Sequence, residues 1–274
     1  MTNPAIFSDI TRQTHTLIGG MTGGGKSVVI RGVLRELLRH SPTRCKLVLI
    51  DPKKVELHPY RRAPHCIAYA DTSGDIADTI HYMCDIMDAR YSAMQAQELR
   101  ETADPHIYII IDELADLMDV CAAGCKRDLK RILQLGRAAG IHVIAATQHP
   151  ERRVLPAEIQ LNFTAVLALP CKTVIESRQL VGAPGAERLE VGNALYTSCT
   201  QRTPRRVSIP MVSDADTATA IDAWTAHTAP TQPTPTQYRP EDTPTRYKSR
   251  TNGKMWLYLL AAAIIVVSAI QKIS

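Results

Sequence analysis

The sequence has few devices that would tie it to the outside of a cell or to a structural metal. Its 7 cysteines are an odd number and are scattered, without the paired spacing of a zinc site. No signal-peptide pattern stands at the start, which together with the odd count argues against a secreted disulfide scaffold. Cys121 and Cys125 would share a helix face, but further ligands are lacking nearby, so both read as ordinary thiols. Charge of one sign is not concentrated either. The formal net charge of +5 is mildly basic, which suits a nucleic acid or an anionic membrane without singling out either. What is present is enough apolar material, 45%, for a folded core. A chain of 274 residues allows one domain-sized core and an appendage.

The chain is organised around Gly20-Met21-Thr22-Gly23-Gly24-Gly25-Lys26-Ser27, a phosphate-loop pattern matched at every constrained position. Thr16 to Gly19 reads as a strand end before it, and residues 27–40 read as a helix after it. In that order, loop N–H groups turn inward around a polyphosphate. Lys26 then neutralises the β- and γ-phosphates, and Ser27 offers its hydroxyl to Mg²⁺. Gly23, Gly24 and Gly25 allow the curl and the close approach. The opening segment, residues 1–16, is short and polar, too little for a domain; Asp9, Ile10 and His15 are placed near a nucleotide base at most.

Further strands follow. Residues 46–51 are apolar and end in Asp51-Pro52-Lys53-Lys54, on the edge where ligands bind in such sheets. The basic pair serves phosphate or is simply solvated. Residues 73–99 carry Ile76, Ile80, Met83, Met87 and Tyr91 at helical steps, a packing face. Residues 106–111 run into Asp112 and Glu113. Downstream of a phosphate loop, Asp112 is expected to hold Mg²⁺ and Glu113 to polarise the attacking water. Lys126, Arg127, Lys130 and Arg131 recur at four-residue steps and give a helix with a positive face. That face is solvated, contacts DNA, or offers an arginine to a neighbouring subunit. Residues 140–148 form another strand, with Gln148 at its ligand edge to read the γ-phosphate or position the water. Arg152 and Arg153 lie in an exposed loop. A strand over 163–169, a helix over 172–180 and a terminal pair over 193–199 and 205–209 complete the sheet.

The predicted organisation is an ATPase domain over 1–212, a terminal helix over 213–228, a Pro/Thr-rich linker over 229–254 and a transmembrane helix over 255–272. Residues 255–270 carry no charge; Arg246, Lys248, Arg250 and Lys254 precede them and Lys272 follows. That asymmetry predicts a single-pass membrane protein with its ATPase domain in the cytoplasm.

Between about residues 16 and 208 the chain resembles the motor domain of the FtsK/SpoIIIE family of DNA translocases. The resemblance is carried by Ile50-Asp51-Pro52-Lys53 with Glu56-Leu57, by Ile111 to Met118, and by Gly136-Arg137-Ala138-Ala139-Gly140. Ala146-Thr147-Gln148-His149-Pro150, Ser177-Arg178, Gly185 to Leu189 and Gly192 to Tyr196 continue it in the family's order. It implies an α/β fold of the RecA-like P-loop NTPase type, with a mostly parallel central sheet flanked by helices. It further implies ATP and Mg²⁺ as cofactors and a homo-hexameric ring around double-stranded DNA. Arg137 falls on the family's arginine finger, supplied to a neighbour's nucleotide, and Arg178 on a second interface arginine. The expected function is ATP-driven translocation of duplex DNA at a membrane, with Lys126, Arg127, Arg152 and Arg153 as DNA contacts. The alternative is a membrane-anchored ATPase that moves or assembles protein substrates in a secretion or transfer system. The family's usual preceding domain and its DNA-reading winged helix have no counterpart in this sequence, and His149 replaces the arginine that usually follows the Thr-Gln pair.

Overall fold

Short runs of β-branched and aliphatic residues dictate the architecture, because a strand buried on both faces must be apolar on both. The computed structural model describes residues 5–151 and 155–225. Among them eight strands form one sheet in the order β3-β2-β4-β5-β1-β6-β7-β8. The strands are β1 (His15–Gly19), β2 (Cys45–Ile50), β3 (Cys66–Ala70), β4 (His106–Ile111), β5 (Ile141–Thr147), β6 (Ala165–Ala168), β7 (Asn193–Ser198) and β8 (Arg205–Ser208). Strands β1 to β6 pair in parallel, and β7 and β8 add an antiparallel edge. This is the RecA-like α/β arrangement expected from the sequence.

Alternation along each strand sends neighbours to opposite faces. Leu17, Val48, Ile50, Ile109 and Val143 join one core, shared with α3 (Ser73–Ala96), α4 (Leu114–Val120) and α5 (Ala123–Leu135). Ile18, Leu47, Leu49, Ile110 and Ile144 join the other, shared with α1 (Ala5–Arg12), α2 (Lys26–Leu37) and α8 (Asp214–Thr225). Two shorter helices, α6 (Ala157–Gln160) and α7 (Val174–Val181), flank β6.

Several expectations change. The opening segment is not merely polar: α1 buries Ile6, Phe7 and Ile10 against α2. Phe7 lies over Gly32, where a Cβ would collide with its ring. Ile10 and His15 are therefore core residues, and Asp9 pairs with Arg205 (3.2 Å) rather than facing a base. Strand β3 was not anticipated. Cys121 and Cys125 are not free thiols but a disulfide joining the end of α4 to the first turn of α5.

The expected C-terminal membrane helix is withdrawn, and with it the membrane partner and the single-pass membrane localisation. No helix among the described residues is long and apolar enough to cross a membrane. Residues 255–272, like the linker 229–254 and Arg152 and Arg153, lie outside the described residues.

Candidate nucleotide site

Strand β1 stops at Gly19 and the chain enters the phosphate loop on the carboxyl edge of the sheet. The loop is pinned from both neighbouring strands. Gly20 N–H donates to the Thr147 carbonyl (3.3 Å), and Met21 N–H donates to that of Pro170 (2.8 Å). Gly23 and Gly25 adopt φ of 76° and 103°, in the left-handed region. A Cβ at either would meet open space, so backbone conformation, not crowding, selects glycine there. Helix α2 begins at Lys26, directly after this turn. Its first N–H groups and its dipole thus face the loop interior.

Lys26 bends back over the loop, its Nζ donating to the carbonyls of Gly20 (2.7 Å) and Met21 (2.9 Å). Burial lowers its pKa, and the charges of Glu113 and Asp112 pull the other way. The cation therefore sits in a half-dry, acid-lined niche. Ser27 donates its hydroxyl proton to Glu56 Oε1 at 2.5 Å.

Strand β4 delivers the two acids. Asp112 is half-buried; its pKa is pushed up to about 6, first by burial and then by the neighbouring charges of Asp51 and Glu56. Glu113 is 1% exposed and faces the other way. It caps α4 by accepting from Ala115 N–H (3.3 Å) and accepts Gln148 N–H through both oxygens (3.1 Å each). Lys53 Nζ lies 3.8 Å from Glu113 Oε2 and 3.4 Å from Asp116 Oδ2. Thr22 of the loop donates to Gln148 Oε1 (2.5 Å). Strand β5 is thereby tied to both the phosphate loop and the acid of β4.

The residues of the loop, Asp112, Glu113 and Gln148 thus meet at one edge. Arg137 does not: it is exposed in the turn before β5, at the opposite end of the sheet from the loop. Arg178 is exposed on α7, near Glu187. Lys126 and Arg127 lie near the start of α5, and Arg127 pairs with Asp128 (3.4 Å). Of the Lys53–Lys54 pair, Lys53 faces carboxylates of the site and Lys54 pairs with Asp71 (3.6 Å). Sequence reasoning gave no site role to Thr22 beyond the loop itself, to Asp51 or to Glu56. For the last two, the one signal was the Asp51-to-Leu57 motif; nothing local says that Glu56 turns back onto Ser27.

The FtsK/SpoIIIE family model matches residues 1–108. The chain is 31% identical over 240 residues to the DNA translocase FtsK of Tropheryma whipplei, covering 79% of this chain and 32% of that protein. It is 34% identical over 242 residues to the DNA translocase SftA of Bacillus subtilis (strain 168), covering 82% and 25%. It thus spans a quarter to a third of the length of these curated relatives. Among solved structures it is similar to the pCW3 conjugation coupling protein TcpA, at TM-score 0.69 and 20% identity, covering 78% of this chain and 66% of that one. It is also similar to the cytoplasmic domain of the Thermomonospora curvata Type VII secretion ATPase EccC, at TM-score 0.65 and 21% identity, covering 77% and 28%.

The chain is a P-loop ATPase. The sequence matches are to FtsK/SpoIIIE-type proteins over part of their length, and the structural matches show the same fold. In this ATPase the nucleotide loop, Gln148 and Glu113 are joined by direct hydrogen bonds, while Arg137 lies at the far end of the sheet.

Proposed function

We propose that this motor moves or assembles a protein substrate in a secretion or transfer system, as one subunit of a ring. The loop N–H groups and Lys26 hold the phosphates of ATP. Ser27 and Asp112 would hold Mg²⁺, Glu113 would polarise the water, and Gln148 would sense the γ-phosphate. Their oxygen donors are the hard kind that Mg²⁺ prefers. Arg137, at the far end of the sheet from its own loop, reaches a nucleotide only on a neighbour, which supports its action in trans; Arg178 is a second interface arginine.

The cargo reading is carried by one observation, the ion pairing of three of the four basic residues of α5. Arg127 pairs with Asp128, Lys130 with Glu158 (2.5 Å) and Arg131 with Asp88 (2.9 Å). A surface built to grip phosphates would leave these cations available. The likeness to the Type VII secretion ATPase EccC is in keeping with a protein cargo. A second reading, translocation of double-stranded DNA, is favoured by the sequence relatives, which are named DNA translocases.

ATP turnover of the purified chain, measured with and without duplex DNA, separates the two. The protein reading expects turnover that DNA leaves unchanged and duplex binding no tighter than nonspecific. Strong stimulation by duplex, falling steeply with added salt, overturns it in favour of DNA.

A further inference from the structure

We propose that Glu56 is a positioning residue that orients the Ser27 hydroxyl toward the divalent cation; this rests on the ATPase reading of the site. A serine hydroxyl has one proton and two lone pairs. At Ser27 the proton is committed to Glu56 Oε1 at 2.5 Å. Both lone pairs are then free for a metal, and the carboxylate makes the oxygen more electron-rich. The same logic orients other metal ligands through outer partners. Among the described residues Ser27 donates to Glu56, not to Asp112, so the proton acceptor comes from the loop after β2 rather than from β4.

That loop is built to hold Glu56 in place. Lys54 turns through a left-handed φ of 62°, and its N–H donates to the Asp51 carbonyl (3.0 Å). The Asp51 carboxylate, fully buried, accepts Leu57 N–H through Oδ2 (3.0 Å). Tyr69 donates to the same oxygen (3.4 Å), and the Leu57 side chain is fully buried. Glu56 is thus clamped between a buried aspartate and a buried leucine. The other Asp51 oxygen, Oδ1, is buried without a partner.

Mg²⁺ habitually takes most of its ligands from nucleotide phosphates and water. Under that economy the quality of each protein ligand matters, and Glu56 sets the quality of Ser27.

The test is titration of a fluorescent ATP analogue onto the full chain across Mg²⁺ concentrations and in EDTA. It uses the wild type, Glu56→Gln, Glu56→Ala, Ser27→Ala and the Ser27→Ala/Glu56→Ala pair. Glu56→Ala should raise the half-saturating Mg²⁺ about tenfold, the loss of one hydrogen bond to a charged group, and leave the affinity in EDTA unchanged. Glu56→Gln keeps an acceptor oxygen but not the charge, and should shift by roughly threefold. In the Ser27→Ala background the Glu56 effect should vanish. Wild-type Mg²⁺ dependence in Glu56→Ala, or an equal loss with and without Mg²⁺, overturns the inference. Where Glu56→Ala fails to fold, a wild-type-like Glu56→Gln does so. A wild type whose binding ignores Mg²⁺ refutes the ATPase-site reading itself instead.

Discussion

Replacing Glu113 with glutamine separates the chemical and structural work of one buried side chain. The carboxylate accepts three contacts from two N–H groups, Ala115 and Gln148, and stands 3.8 Å from Lys53. Glutamine keeps Oε1 where both N–H groups can reach it. Its amide, in the place of Oε2, gives up the second contact to Gln148 and the attraction to Lys53. That loss is about 1 kcal/mol, a single modest hydrogen bond beside a weak, half-exposed ion pair. The chemical loss is of another order. Removing a general base slows turnover by about 10² to 10⁴. Glu113→Gln is therefore expected to fold, to bind the ATP analogue within about twofold of wild type, and to hydrolyse ATP at least about a hundredfold more slowly. Glu113→Ala differs in kind. It also removes the cap of α4, worth about 1 kcal/mol, and strands the Gln148 N–H at about 1–3 kcal/mol, so its melting temperature should fall clearly. The assays are steady-state phosphate release, analogue binding and thermal melting on the same samples. If Glu113→Gln keeps more than a tenth of wild-type turnover, Glu113 is not the base, and its burial reflects only its role in joining α4 to β5.

Three further perturbations test separate links. Gly32→Ala gains helix propensity, about 1 kcal/mol, but drives a methyl into the buried Phe7 ring, where overpacking costs about 1–3 kcal/mol. A lower melting temperature is expected, restored by Phe7→Leu in the same chain; a higher one would show that α1 moves aside freely. Arg137→Ala and Lys26→Ala should each be inactive alone, yet regain turnover when mixed, because a Lys26→Ala subunit can lend its arginine to an intact loop. No recovery in mixed oligomers removes Arg137 from the trans role. His15, whose pKa burial lowers from 6.5 to about 3, must be protonated on unfolding in acid. Its folded pKa is depressed, so the unfolded chain binds the extra proton and stability falls as pH drops below 6.5. The loss is about 2 kcal/mol by pH 5. His15→Gln should flatten the fall of melting temperature between pH 7 and 5; an unchanged slope means that other groups cause it.

The comparison of sequence with structure divides along physical lines. Strands β2, β4, β5 and β6 announce themselves because burial on both faces forces a mostly apolar run, and β1 is read from the phosphate loop that follows it. The phosphate loop is equally legible, since its chemistry fixes residue types at fixed spacing. Asp112 and Glu113 follow from standing at the end of such a run. Strand β3 is short and only partly buried, with a small residue between Ile67 and Tyr69, and α1 carries its three large apolar residues in a stretch otherwise polar, so neither stands out. The disulfide of Cys121 and Cys125 depends on how α4 and α5 meet, which a spacing of four residues does not reveal.

What the sequence alone determined is the nucleotide chemistry and the layered α/β architecture, because both are written in local pattern: period, glycine placement, acids after an apolar run. What tertiary structure decided is which distant groups meet. The side chain of Glu56 closes on Ser27 through a 29-residue separation, Thr22 reaches Gln148 through 126, and Arg137 lands at the far end from its own loop. Such meetings are set by strand order and loop anchoring across the whole sheet, and no window of neighbouring residues contains them.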